Sequence, residues 1–166
     1  STFLYDTLTR LCAALGMDGS EYRRLVAGSF LVSCDNAHAV HPNHGEFADR
    51  NHTARMNGGV VIKYNANQRY TSDAVSAGIF RRICESAGVP VQYYANRADM
   101  PGGSTLGNIS NTQVSLNAVD IGLAQLAMHS PFETAGAADT VSLVKALTAF
   151  FEHSLVAERD GVYRFL

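Results

Sequence analysis

The chain has 166 residues, of which 46% are hydrophobic and 17% are charged, and its formal net charge is −2. This balance is typical of one globular domain with a hydrophobic core, and it excludes an intrinsically disordered chain. The near-neutral charge gives no sign of the basic patch of nucleic-acid binders, and no apolar run approaches the roughly 20 residues that span a bilayer. We therefore expect neither nucleic acid nor a membrane as a partner.

The ends and the cysteines give further expectations. The first residues lack the charged and apolar regions of a signal peptide, and there is no initiator Met, so we expect a chain cut from a longer one, or processed. Cys12, Cys34 and Cys84 form no Cys-x-x-Cys pair, which favours a reduced, cytoplasmic setting. We expect all three to be small buried side chains.

The apolar pattern predicts alternating helices and short strands, and therefore an α/β fold. Helices are predicted over residues 3–15, 20–27, 102–114 and 139–153, and another follows the caps Thr71 and Ser72 and runs to about residue 87. The last helix is expected to place Val141, Val144, Leu147 and Phe151 on one face. Strands are predicted over 29–34, 59–64, 91–95 and 118–123, and Asp160-Gly161 indicates a turn.

Residues 36–58 form a long polar stretch directly after the first predicted strand. Ligands in open α/β sheets bind at the carboxyl ends of strands, so chemistry is expected here. Asp35 is followed closely by His38, His41 and His44, and such side chains suit zinc, or proton transfer beside a metal. No standard zinc motif is present, and a solvated loop whose imidazoles bond to the backbone is an equal alternative.

Three further segments contain candidate binding residues, each with a structural alternative. Lys63 lies inside an apolar strand, where it either lines a pocket or faces water from an edge strand. The Gly-rich residues 101–107 either approach an anionic ligand or form a plain turn into a helix. His129 lies among apolar neighbours, which by itself favours a structural histidine.

Together these segments resemble the aspartyl aminopeptidase family. The resemblance lies in residues 33–43 (SCDNAHAVHPN), 61–63 (VIK) with 67–70 (NQRY), 101–107 (PGGSTLG) and 125–130 (QLAMHS). They occur in the family's order and spread over most of the chain. Residues 101–107 depart slightly from the family pattern, and residues 44–55 match it loosely.

The resemblance implies a three-layer α/β/α fold with a central mixed sheet. Residues 1–166 would be the C-terminal portion of a zinc-exopeptidase-like catalytic domain, without the upstream catalytic segment and the dimerisation domain. The intact enzyme would be a cytoplasmic homo-oligomer with two zinc ions that removes N-terminal Asp or Glu from peptides. A related two-metal exopeptidase of other specificity and an inactive fragment or truncated product are the alternatives.

The resemblance also implies roles for individual residues. Asp35 would be the terminal ligand of one zinc, and His129 would be a ligand of the other. His38 and His41 would lie near the metals, with His41 the better candidate for contact with the substrate or the transition state. The substrate pocket would contain Lys63, Tyr70, Gly103 and Ser104. A first metal-binding His, a bridging Asp and a Glu-Glu pair that includes the general base are expected upstream.

Overall fold

The computed structural model describes residues 2–159 and 161–166, so the predicted turn at Asp160 lies partly outside the described residues. The helices of this part are α1 (Phe3–Ala14), α2 (Gly19–Ala27), α3 (Ala74–Ser86), α4 (Leu106–Asn111) and α5 (Ala137–Glu152). The strands are β1 (Phe30–Cys34), β2 (Ala37–His38), β3 (Val60–Tyr64), β4 (Val91–Ala95), β5 (Asn117–Gly122), β6 (Ala124–Leu126), β7 (Thr134–Ala135), β8 (Leu155–Arg159) and β9 (Val162–Phe165). The expected α/β fold is confirmed.

The central sheet is mixed and has the strand order β1-β5-β3-β4. β1 is parallel to β5, β3 is parallel to β4, and β3 is antiparallel to β5. A smaller sheet, β2-β6-β7, continues from the carboxyl ends of β1 and β5, since only two residues separate β1 from β2 and only Leu123 separates β5 from β6. β8 and β9 form an antiparallel hairpin.

The two faces of the central sheet differ in chemistry. Helices α3 and α5 pack on one face, where Val60, Ile62 and Phe80 belong to the main apolar cluster. Residues on the other face include buried polar side chains on β1, β3 and β5, and α4 packs there. The central mixed sheet thus lies between helices, as a three-layer α/β/α fold requires, and its polar face is the one that carries the candidate site.

Helix α3 begins later than its predicted caps suggested. Asp73, rather than Thr71 or Ser72, is the N-cap residue, and its carboxylate accepts a hydrogen bond from Ser76 N at 2.7 Å. Ser76 Oγ in turn accepts from Asp73 N at 3.0 Å, which completes a capping box. Thr71 and Ser72 bond to β5 instead.

We expect Asp73→Ala to destabilise the protein by about 1 kcal/mol, because the first turn of α3 loses its side-chain acceptor. Urea unfolding monitored by circular dichroism would measure this loss. Asp73→Asn is the matched control, since asparagine caps helices about as well as aspartate. An equal loss in both variants would show that the carboxylate does not act through the cap.

Three sequence predictions about helices and cysteines are wrong in detail. The helix predicted over 102–114 covers only Leu106–Asn111, because the two glycines Gly102 and Gly103 disfavour helix. On α5, the side chains of Val141 and Phe151 are exposed, and the small Ala146 and Ala149 are buried instead. The third concerns the cysteines: Cys12 and Cys84 are buried as expected, but Cys34, the last residue of the edge strand β1, is exposed. None of the helices within the described ranges has both the length and the apolar character to cross a membrane.

Candidate zinc and substrate site

Asp35 directly follows β1, with an exposed side chain at the carboxyl end of the strand. Its backbone N–H donates to Ile121 O of β5 at 2.9 Å, so the hydrogen-bond ladder continues through it. Gly122 packs against it so closely that a Cβ at position 122 would lie 1.9 Å from Asp35 O. The backbone of Asp35 is therefore tightly confined, while its carboxylate remains accessible.

Lys63 lies on β3 and is 1% exposed. Its Nζ donates to Asp35 O at 3.0 Å and to Asn36 O at 3.3 Å, and it lies 4.8 Å from the centre of the Tyr70 ring. Burial lowers the pKa of Lys63, whereas the carboxylates of Asp35 and Asp120 act to raise it. The edge-strand alternative is wrong, because β3 is an inner strand of the sheet, with β5 on one side and β4 on the other.

His38 and His129 are both positioned by the small parallel strand pair β2 and β6. His38 lies on β2 opposite Gln125 of β6, and His129 lies within the turn after β6, which a hydrogen bond from Ser130 N to Ala127 O closes. Ala127 and His129 both have left-handed backbone conformations, with φ of 54° and 68°. Partial burial lowers the pKa of His38, and electrostatic interaction with His129 and Lys63 lowers it further.

His41 belongs to a loop that is ordered by local contacts. The rings of His41 and His44 lie 5.1 Å apart, and His41 Nδ1 accepts from Asn43 N at 3.2 Å. His44 Nδ1 lies 3.1 Å from the Glu46 carboxylate, and His52 makes a similar pair with an aspartate. His41 thus bonds to the backbone, as the solvated-loop alternative expects, whereas His44 and His52 pair with carboxylates.

Two cavities flank the segment after β4. The first, of about 370 Å³, is lined by a set that includes His38, His41, Phe47, Tyr94, Arg97 and Gly103. The second, of about 480 Å³, is lined by residues of the 64–69 segment together with Asn96, Arg97 and Gly102. Arg97 lines both, donates to Glu46 O and forms an ion pair with Asp99 at 2.7 Å, which ties the His-rich loop to this segment.

The residues predicted to bind substrate do not lie in a single cavity. Gly103 lines the first cavity, whereas Tyr70 is buried beside Lys63 and packs 6.4 Å from Tyr94, measured between ring centres. Ser104 is exposed, and its Oγ accepts from Asn108 Nδ2 at 3.1 Å. Sequence reasoning missed Tyr94 and Arg97, for which no motif provided a signal.

Sequence reasoning also missed Asp120. A charge inside the apolar run Ala118–Ile121 is the same kind of signal that marked Lys63, and it could have identified this residue. Asp120 is completely buried on β5.

The donor types present suit zinc, but their number does not complete a site. Asp35 and His129 offer a carboxylate oxygen and an imidazole nitrogen, which are ordinary zinc ligands. Across residues 2–159 and 161–166, no group of three or more His, Cys, Asp or Glu side chains is arranged to hold a metal ion. A catalytic zinc usually has three protein ligands, so further ligands would have to come from other residues.

The comparisons with known proteins define a class that agrees with this donor chemistry, the zinc metallopeptidases. Residues 1–151 match the Peptidase M18 family, described as aminopeptidase I zinc metalloprotease. Because this match covers most of the sequence, the chain belongs to the M18 family of zinc metallo-aminopeptidases.

Individual relatives agree with the family. The probable M18 family aminopeptidase 2 of Pseudomonas aeruginosa (strain UCBPP-PA14) is 47% identical over 152 residues, which are 92% of this chain and 34% of the relative. Its counterpart in Azotobacter vinelandii is 46% identical over 154 residues, 93% of this chain and 35% of the relative. The chain thus spans about a third of the length of the curated relatives it matches.

Solved structures support the fold over the same region. A chain in the cryo-EM structure of the Ape4 and Nbr1 complex has a TM-score of 0.88 and 38% identity, covering 92% of this chain and 29% of that chain. The S. cerevisiae mApe1 dodecamer has a TM-score of 0.70 and 28% identity, covering 79% of this chain and 28% of that chain.

Proposed function

We propose that this chain is part of a zinc aminopeptidase that removes N-terminal Asp or Glu from peptides. Membership of the M18 family supports the aminopeptidase chemistry and the use of zinc. The observation that carries the preference for acidic residues is the buried ammonium group of Lys63, held beside the backbone of Asp35.

In this proposal, Asp35 and His129 are ligands of two zinc ions, one each. When bound, zinc lowers the pKa of a coordinated water and polarises the carbonyl group of the scissile peptide bond. His41, which lines the first cavity, contacts the substrate or the transition state, and His38 lies beside it. Gly103 and Ser104 belong to the loop that lines the substrate pocket.

Lys63 and Tyr70 select the substrate's first residue. Two of the three Nζ donors of Lys63 bond to backbone carbonyls, and in this proposal the third donates to the carboxylate of the substrate's first residue. A neutral first side chain would leave that donor without a partner in a buried position, which disfavours its binding. An Asp or Glu side chain supplies the missing anion.

The remaining ligands and the general base are assigned to another part of a longer chain. Two observations support this: the relatives are about three times as long as the aligned region, and the described residues hold no complete set of metal ligands. We propose that residues 1–166 are the C-terminal portion of the catalytic domain, with a catalytic segment and a dimerisation domain elsewhere. The dodecamer of a structural neighbour supports a homo-oligomer, and the free cysteines suit the cytoplasm.

A second specificity is favoured by one observation. Because Lys63 already donates to Asp35 O and Asn36 O, it could act only as a support for the strand end. The enzyme would then be a two-metal exopeptidase that accepts neutral residues.

The proposed function is tested by assaying the full-length protein on otherwise identical peptides that begin with Asp, Glu or Ala. We expect cleavage of the acidic peptides, loss of activity on treatment with a chelator, and recovery on addition of zinc. Equal efficiency on the Ala peptide would favour the second specificity. Activity that survives complete removal of metal would contradict the zinc mechanism.

We expect the 166-residue chain by itself to bind zinc weakly and to show no turnover, because two assigned ligands fall short of the usual three and no general base is among them. Calorimetric titration with zinc measures the first property, and Asp35→Ala is the control for any residual binding. Tight binding of two ions by the 166-residue chain would show that the ligands are misassigned.

A further inference from the structure

Asp120 is a buried carboxylate to which the proposed mechanism gives no role. Its side chain is fully enclosed on the polar face of the central sheet. One oxygen, Oδ1, accepts from Ser33 Oγ at 2.6 Å, and the other, Oδ2, accepts from Thr71 N at 2.6 Å and from Thr71 Oγ1 at 2.8 Å. Three donors on one carboxylate offset much of the cost of burying it.

Both residues that donate to the Asp120 carboxylate belong to segments that carry proposed site residues. Ser33 lies two positions before Asp35 on β1, and Thr71 directly follows Tyr70. The main chain of Asp120 reinforces the second link, because its N–H donates to Ser72 Oγ at 2.9 Å. The metal-side strand and the substrate-side segment therefore meet at one side chain.

The start of α4 joins the same network. Gly107 N donates to Ser33 Oγ at 2.9 Å. A Cβ at position 107 would lie 2.7 Å from the Ser33 Cβ and 3.0 Å from Asp120 Oδ2, so the backbone can approach this closely only at a glycine. The loop with Gly103 and Ser104 leads directly into this contact.

We propose that Asp120 is a positioning residue of the aminopeptidase. Its carboxylate holds three segments in one relative geometry: the strand end with Asp35, the segment with Tyr70 and the loop with Gly103 and Ser104. It acts through Ser33 and Thr71, without contact to substrate or metal. This inference rests on the proposed function and adds the element that links the metal ligand to the specificity pocket.

The central variant is Asp120→Asn in the full-length enzyme. The amide keeps the shape but presents an N–H group in place of one acceptor oxygen. Residues that orient metal ligands typically contribute about 10–100-fold to metal affinity or activity, so we expect kcat/KM on an Asp peptide to fall by that factor. Zinc affinity, measured by competition with a chelating indicator, should fall as well.

Asp139→Asn is the matched control. Asp139 is equally buried, at 1% exposed, and its carboxylate accepts from Asn57 N at 2.6 Å and from Gly59 N at 2.8 Å. None of these residues has a proposed role in the site. We expect this variant to lose thermal stability, while kcat/KM and zinc affinity, measured well below its unfolding temperature, stay within about twofold of wild type.

Two milder variants test the bonds of Asp120 to Ser33 and to Thr71 separately, and they replace Asp120→Asn as the test if that variant does not fold. Ser33→Ala should lower zinc affinity by about tenfold with little change in KM, because it loosens the strand end before Asp35. Thr71→Val should raise KM for the Asp peptide and leave zinc affinity unchanged, because it loosens only the segment next to Tyr70.

The outcomes distinguish this role from the proposed function. The positioning role would be overturned if the Ser33→Ala and Thr71→Val variants kept the kinetic constants and zinc affinity of the wild type and differed from it only in stability. The same conclusion follows if Asp120→Asn and Asp139→Asn behave alike. A full-length wild-type protein that neither binds zinc nor cleaves peptides would overturn the proposed function, and the role of Asp120 with it.

Discussion

Replacing Lys63 by methionine is expected to reduce kcat/KM on peptides with N-terminal Asp or Glu by about 30-fold or more. Methionine keeps most of the volume and removes the charge. Loss of one partner of a buried charge pair typically costs about 2–5 kcal/mol, and 1.36 kcal/mol corresponds to a tenfold change in rate. Efficiency on an Ala peptide should fall much less.

The ratio of the two efficiencies is the informative measurement for Lys63→Met. The variant also removes the donor to Asp35 O and Asn36 O, and that structural loss affects both substrates alike. The structural loss cancels in the ratio of the two kcat/KM values, so a change in this ratio measures selectivity alone. Lys145→Met, at an exposed lysine of α5, is the matched control and should change neither value. Equal losses on acidic and neutral peptides would remove Lys63 from the specificity pocket.

Gly122→Ala is expected to destabilise the protein by about 3 kcal/mol, the upper end for inserting a methyl group into a tightly packed site. The new Cβ would lie 1.9 Å from Asp35 O and 2.8 Å from the Cα of Asn36. Both atoms belong to the backbone, so no side-chain rotation relieves the contact. The chain around a proposed zinc ligand would have to move.

Gly78→Ala is the control for that substitution. Gly78 lies inside α3, and a Cβ there meets nothing within 4 Å. Because alanine is the better helix former, this variant should be more stable by about 0.5–1 kcal/mol. Denaturant midpoints for both variants test the pair. A Gly122→Ala protein within about 1 kcal/mol of wild type would show that the contact between β5 and Asp35 relaxes easily.

The sequence allowed the four strands of the central sheet to be predicted within about one or two residues, because each is a bounded apolar run. The strands β2, β6 and β7 were missed, since each has only two or three residues and shows no periodicity. The hairpin strands β8 and β9 were missed as well. On α5 the pattern favoured Val141 and Val144, but small residues allow a closer approach to neighbouring elements, so the helix buries Ala146 instead.

Within the candidate site, the family motifs identified Lys63 but not its environment. That Lys63 bonds to the backbone of Asp35 depends on the antiparallel pairing of β3 and β5, and a single sequence does not reveal which strands are neighbours. The roles of Asp35, His38, His41 and His129 as metal or substrate residues remain predictions. The network around Asp120 joins residues up to 87 positions apart, which no local pattern indicates.

The two short crossings between the sheets have a mechanical consequence. Asn36 lies in the crossing from β1 to β2, where its side chain donates to Gln125 Oε1 and accepts from Leu123 N, the residue of the other crossing. Hydrogen bonds of the Asn36 side chain therefore join the two crossings to each other and to β6. We expect such a joint to resist bending, so that β1, which ends next to Asp35, and β2, which contains His38, move together. Any adjustment to an incoming peptide would fall to the surface loops, of which the His-rich residues 41–52 are the longest beside the first cavity.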